Sequence, residues 1–257
     1  MGYQMKTKNE LRYSRFELFS YGRIKNLREK SVIIVGVGGL GAVVSELLTR
    51  FGIGKIVIFD YDTLEIANMN RLIYKPSQIG LKKVRAIKQY LNEVNPDTKI
   101  VALPYDITTS PGIAYFEKEL KKTDLLFGCV DTFHVRMMMN TWCVKFKKSY
   151  IDGGASEDGI NGAVQTIIPG KTACYRCNVV SSQQTVNRRA GTGERSGRCH
   201  ITSLPTTMAI ISALQVQEGI KYLLGFGKVT PYLLYNGIEG SITRIELQRN
   251  PNCYVCR

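Results

Sequence analysis

Four of the seven cysteines stand in two C-x-x-C pairs, Cys174–Cys177 and Cys253–Cys256. Two such pairs, far apart in the chain, supply the four sulfurs of a closed tetrahedral Zn²⁺ site, which holds a fold together rather than catalysing. A redox role is the alternative for either pair alone, and the presence of the second pair weighs against it. Cys129 in "LLFGCV" and Cys143 in "NTWCVKF" sit in apolar runs and read as buried core residues. Cys199 differs. It lies in "GERSGRCHITSLPTT", beside Arg198 and His200 and just before a predicted helix. Positive neighbours and a helix N-terminus both favour thiolate, the setting of a nucleophile, with an idle loop cysteine as the alternative. His200 either tunes Cys199 or is simply an exposed loop histidine. His134, the only other histidine, reads as structural.

In "GVGGLG", Gly36, Gly38 and Gly41 satisfy G-x-G-x-x-G between an apolar strand and a helix. Glycines there let backbone N–H groups approach phosphate oxygens. Asp60 ends the next strand, where a carboxylate accepts hydrogen bonds from ribose hydroxyls. This pattern selects an adenine nucleotide without choosing between a dinucleotide and ATP. The following stretch, "YDTLEIANMNRLIYKPSQIGLKKVRA", favours a triphosphate, because Arg71 and Lys83 can neutralise its charge. A solvated helix lysine remains the other reading of Lys83. Asp131, at the C-terminal end of a predicted strand where α/β sites gather, suits Mg²⁺, with a helix N-cap as its other role.

These residues need elements to hold them. "SVIIV" and "KIVIFD" read as strands flanking the helix "LGAVVSELLTRFG", which stops at Gly52. That βαβ unit closes right-handed onto a parallel sheet. Further on, "GLKKVRAIKQYLNEVNP" predicts a helix, "KIVALPYDI" and "TDLLFGCVDTF" strands, "HVRMMMNTWCVKF" a helix and "SYIDGGAS" a strand. From "GAVQTIIPG" onward β-like segments surround one long apolar helix, "LPTTMAIISALQVQEGIKYLLGFG". Residues 10–30 predict an amphipathic helix pair.

A chain of 257 residues buries a substantial core, and a net charge of +14 raises the question of nucleic acid. No recognition helix, RNP or C₂H₂ pattern accompanies that charge. A basic surface suited to an acidic partner or to ATP is the expectation, with no nucleic acid. No apolar run is long enough to span a membrane, and the first residues carry charges where a signal peptide is apolar. Lys6 also stands where myristoylation favours Ser or Thr. With seven cysteines, the expected location is the reducing cytoplasm.

From about Arg15 to Arg257 these stretches resemble the ubiquitin-activating-type adenylating enzymes. That superfamily includes the thiamine and molybdopterin sulfur-carrier adenylyltransferases. "IVGVGGLG", "FDYDTLEIANMNRL", "GLKKV", "CVDTF", "IIPGKTACYRC" and above all "SLPTTM" look most like the branch that activates the ubiquitin-fold modifier in ufmylation. The resemblance implies an α/β, Rossmann-like, doubly wound and mostly parallel sheet. A β-rich, zinc-bound C-terminal part would follow, with a crossover loop over about 178–203 carrying the cysteine. It also implies an N-terminal helical segment over 1–30 and an adenylation domain over 31–257.

The implied activity has two steps. The C-terminal glycine of a ubiquitin-fold modifier is adenylated with Mg·ATP, and Cys199 then takes it as a thioester for a conjugating enzyme. Gly36, Gly38, Gly39, Gly41, Asn68, Asp106 and Thr132 would bind nucleotide with Asp60. Arg71 and Lys83 would contact phosphates and Asp131 would hold Mg²⁺. Arg15 would reach across a homodimer to its partner's ATP. Two positions depart from the branch: Asp106 and Thr132 stand where Asn is usual, and Asp cannot donate to a ring nitrogen of the base. The chain also ends at Arg257, before the tail through which that branch recruits its partners. The rival readings are a sulfur-carrier adenylyltransferase without an obligatory thioester, a NAD- or FAD-dependent oxidoreductase and a non-catalytic scaffold.

Overall fold

The computed structural model describes residues 8–19, 24–71, 73–178 and 202–257, with side chains from Leu11 onward. Helix α1 (Lys8–Glu17) and a 3₁₀ turn (Ile24–Glu29) precede β1 (Ser31–Val35), α2 (Gly39–Phe51), β2 (Lys55–Phe59), α3 (Lys83–Val94) and β3 (Lys99–Leu103). Next come α4 (Ser110–Leu120), β4 (Leu125–Gly128), α5 (Phe133–Lys145), β5 (Ser149–Ala155) and β6 (Gly162–Ile167). The long helix α6 (Pro205–Leu224) leads to β7 (Tyr232–Asn236) and β8 (Ser241–Ile245).

The strands form one sheet in the order β3-β2-β1-β4-β5-β6-β7-β8. β3 through β5 in that order run parallel, and the pairings β5–β6, β6–β7 and β7–β8 are antiparallel. The expected mostly parallel, doubly wound sheet is thus present, and the β-rich C-terminal part continues it as antiparallel strands. After β3 the chain returns to the other side of β1, so the strand order reverses between β1 and β4. A crevice opens beyond the carboxyl ends of such strands, which is where α/β proteins bind ligands.

Both faces of the sheet are covered. The alternate side chains Val32, Ile34, Ile56 and Ile58 pack with α2, α3 and α6. Ile33, Val35, Val57 and Phe59 face the other way, toward α4 and α5. A strand buried on both faces reads as a continuous apolar run, as "SVIIV" and "KIVIF" do.

Two sequence expectations need correction. The second member of the expected N-terminal helix pair is the 3₁₀ turn, whose Ile24 and Leu27 are buried. Helix α4 was not anticipated. Its apolar stripe is only Gly112, Phe116 and Leu120, one residue per turn, and Pro111 near its start reads locally as a loop. Phe116 meets Phe59 edge-to-face with ring centroids 5.6 Å apart, and this long-range contact makes the segment helical. Helix α1 is fastened by Tyr13, whose hydroxyl accepts from Asn95 Nδ2 at 2.7 Å, and by Phe16, stacked on Phe51 at 5.3 Å. Among the described residues no helix is long and apolar enough to cross a membrane.

Candidate functional site

The turn after β1 is shaped by close approach. Gly36 takes φ +85°, and a Cβ there would lie 2.6 Å from the Cys129 carbonyl oxygen. A Cβ at Gly41 would lie 1.8 Å from the Gly36 oxygen, so α2 sits directly on the turn. Gly41 is buried there and serves helix–strand packing. Gly38 is different. Nothing lies within 4 Å of a Cβ built on it, so the turn is open to a cavity on that side.

Asp60 fixes the same turn from β2. Its Oδ2 accepts the Val37 N–H at 2.8 Å and its Oδ1 accepts the Asp62 N–H at 2.9 Å. Burial holds the Asp60 carboxyl above the usual carboxylate range, and Lys83 with the two N–H donors pulls it partly back. From below, the buried Tyr74 hydroxyl donates to the Val37 carbonyl at 2.8 Å.

The two cations are held differently. Lys83 opens α3, where a positive charge faces the positive end of the helix dipole. Its Nζ lies 2.6 Å from Asp62 Oδ2, and its N–H donates to the Asp62 carbonyl at 3.0 Å. Arg71 Nη1 donates to the Ala67 carbonyl at 3.1 Å and to Asn70 Oδ1 at 3.0 Å. Asn68 Oδ1 accepts the Glu65 N–H at 3.1 Å, closing the same loop.

Asp131 is exposed beyond β4 and accepts from the Thr132 hydroxyl at 3.2 Å. Thr132, not Asp131, occupies the N-cap position of α5. Asp106 Oδ1 accepts from both the N–H and the hydroxyl of Thr108, each at 2.8 Å.

Most of these groups line one cavity of about 730 Å³, within the usual range for small-molecule sites. Gly36, Gly38, Gly39, Asp60, Asn68, Arg71, Lys83, Asp106, Asp131 and Thr132 all border it. Met208 of α6 covers Gly39, where a Cβ would meet its Cγ at 3.0 Å. His134 was expected to be structural. It is exposed at the start of α5 and lines the cavity. Arg15 is exposed on α1 and is not among the lining residues. Cys199 and His200 lie outside the described residues. Ser203, a little downstream of them, lines the cavity.

Sequence reading missed a buried ion pair at the cavity's end. Arg136 Nη1 lies 3.2 Å from Asp152 Oδ2, and its Nε and Nη2 donate to the Val130 carbonyl at 2.9 and 2.7 Å. The Tyr150 hydroxyl donates to the same carboxylate. Arg136 also lines a smaller cavity of about 270 Å³, which continues past Gly154 to Gln165 and Tyr232. Asp62, Tyr74 and Gln215 were missed as well. Gln215 Nε2 donates to the Gly128 and Ile151 carbonyls at 2.9 and 3.0 Å, holding the parting of β4 and β5. Its signal was an amide on the buried, mostly apolar face of α6, beside Ile211 and Val216.

The four cysteines of the two C-x-x-C pairs do come together. All are buried, and their sulfurs lie within 4.8 Å of one another. The separations are 3.8 Å for Cys174–Cys177, 3.7 Å for Cys174–Cys253 and 3.4 Å for Cys177–Cys256. A zinc tetrahedron with bonds of about 2.3 Å has sulfur–sulfur edges of about 3.8 Å. The Asn250 N–H points at Cys177 Sγ at 3.4 Å. Burial opposes ionisation of Cys253, but the N–H groups of Val255 and Cys256 win, and its thiol sits at about 7. This donor set fits a divalent cation that takes thiolates.

Known proteins point the same way. The family model described as ThiF family matches residues 11–255. Ubiquitin-like modifier-activating enzyme 5 of Caenorhabditis elegans is 44% identical over 239 residues, 89% of this chain and 56% of that protein. Its namesake in Dictyostelium discoideum is 42% identical over 240 residues, 89% of this chain and 62% of that protein. The chain therefore spans less than two thirds of the length of these relatives. The crystal structure of E. coli MccB with ATP superposes with a TM-score of 0.76 at 25% identity, over 96% of this chain and 74% of that one.

Proposed function

The chain belongs to the ThiF family, and from that premise we propose that it is an ATP-dependent activating enzyme for a ubiquitin-fold modifier, of the ufmylation kind. The observation that carries the reading is the single cavity in which the Gly38 opening, Asp60, Arg71, Lys83 and Asp131 converge at the strand switch point. A dinucleotide oxidoreductase has no use for two cations and an exposed carboxylate beside the glycine turn.

In the first step the modifier's terminal carboxylate attacks the α-phosphorus of ATP. The bond to the β-phosphate breaks, and pyrophosphate leaves. Asp60 accepts from the ribose, Asp106 receives the adenine amino group, and Asn68 and Thr132 complete the nucleotide's surroundings. Lys83 and Arg71 stabilise the charge that builds on the phosphates, the largest contribution available to such a reaction. Asp131 holds Mg²⁺, which supplies charge neutralisation on the triphosphate. The smaller cavity beyond Arg136 gives the modifier's extended tail a lane toward the nucleotide. In the second step the Cys199 thiolate attacks the acyl-adenylate carbonyl and AMP departs, leaving a thioester for a conjugating enzyme.

Arg15, exposed and away from its own cavity, completes the site of a second copy, so the working unit is a homodimer. The four-cysteine cluster holds a structural Zn²⁺. Six described cysteines, all free, suit a cytoplasmic setting.

A charging assay tests the reading. Modifier with a free C-terminal glycine, ATP and Mg²⁺ should give a thiol-sensitive band on a non-reducing gel, absent for Cys199→Ala. Pyrophosphate exchange in both proteins with a band in neither would overturn the thioester step and leave a sulfur-carrier adenylyltransferase.

A further inference from the structure

One buried amide on α5 is tied to the cysteine cluster on one side only. Asn140 is fully buried, and its Oδ1 accepts the N–H of Tyr175 at 2.9 Å, the residue that follows Cys174. Its Nδ2 is buried too and completes no hydrogen bond among the described residues. Native interiors hold few such donors, and each calls for an explanation.

The cluster supplies one. Cys174 stands one residue before Tyr175, and its sulfur is buried with those of the other three cysteines. A neutral thiol is a poor acceptor, whereas a thiolate forms charge-assisted hydrogen bonds. A metal ion deprotonates a coordinating thiol outright. The second donor of Asn140, on the same amide that holds the Tyr175 N–H, is thus left for an acceptor that arises one residue away once a metal is held.

We propose that Asn140 is a positioning residue of the metal centre, fixing the Cys174–Cys177 turn through the Tyr175 N–H and donating to the Cys174 thiolate when a zinc-like cation is bound. This rests on the reading that the four cysteines hold a metal. Outer partners of this kind orient the ligands and tune their basicity. Simple packing is the competing role, and it differs in what it predicts. A residue that only fills space is replaced by leucine, of similar size, without loss of metal affinity.

The experiment uses the full chain, stripped of metal and titrated with Co²⁺ as an optical probe, then with Zn²⁺ against a chelating dye. Wild type, Asn140→Leu, Asn140→Asp and Cys174→Ser are compared. Wild type should take one ion per chain with intense thiolate-to-cobalt absorption, and Cys174→Ser should lose part of that absorption. Both Asn140 variants should bind about 10–100-fold more weakly, even though Asn140→Asp keeps the acceptor for Tyr175. Wild type that binds neither ion removes the metal reading, and the proposal with it. Wild-type binding with both variants within twofold overturns the proposal alone. Should the variants not fold, unaltered protein loaded with ¹¹³Cd and labelled with ¹⁵N-asparagine decides the matter. A coupling between cadmium and the Asn140 amide protons, carried through the sulfur, is expected, and cadmium-loaded protein without it overturns the proposal.

Discussion

Lys83 and Asp62 form an ion pair of 2.6 Å in which the lysine is buried and the carboxylate is half exposed. One of the cavity's cations is thus neutralised within the chain, and an arriving phosphate must compete with Asp62 for it. Asp62→Asn should lower stability by only about 1 kcal/mol, because water screens the exposed partner. Lys83→Met should instead abolish modifier-dependent ATP–pyrophosphate exchange with little change in the denaturation midpoint. Equal loss of exchange in both would place Asp62 in the reaction itself.

Nucleotide affinity should depend on pH through Asp60. Burial holds its carboxyl above the usual carboxylate range, so protonation of the folded protein begins at a higher pH than for a free carboxylate. Only the ionised form accepts from both ribose hydroxyls. Affinity measured by calorimetry should therefore be level near neutrality and fall as pH drops toward the raised pKa. Asp60→Asn should bind weakly at every pH, without that slope.

The glycines of one turn should separate into two kinds. Gly41→Ala pushes a methyl group into the Gly36 carbonyl and should cost about 1–3 kcal/mol of stability through overpacking. Gly38→Ala meets nothing, so it should melt like wild type yet bind ATP more weakly. Thermal melts and binding isotherms on the same preparations check both.

Asp131→Ala and Arg15→Ala should each suppress exchange. Mixed and allowed to re-pair at random, they should recover about a quarter of wild-type activity, since half the dimers regain one intact composite site. No recovery would confine Arg15 to its own chain.

Much of this site was legible because its chemistry is local. "GVGGLG", the acid ending "KIVIFD" and the two C-x-x-C pairs each state their geometry within a few residues. The convergence of Asp60, Arg71, Lys83 and Asp131 follows from the βαβ winding. What could not be read depends on distant partners. Asp152 looks like a strand aspartate until α5 brings Arg136 to it, and Tyr74 is a loop tyrosine until it meets the Val37 carbonyl. Helix α4 carries too narrow an apolar stripe to announce itself without Phe59. Gly41 shows the opposite case: its place in the motif is plain from the sequence, while its support of the turn from behind shows only in the packing.

Helix α5 contributes Thr132 at its N-cap, then His134 and Arg136, to the large cavity, while Asn140, about 12 Å further along at the usual rise per residue, touches the cysteine cluster. One rigid rod therefore ends in two sites of different chemistry. With the proposed metal in the cluster, the consequence is practical: a preparation exposed to EDTA during purification should not be interchangeable with one that was not. Dissociation constants from different batches become comparable only once their metal stoichiometry has been matched.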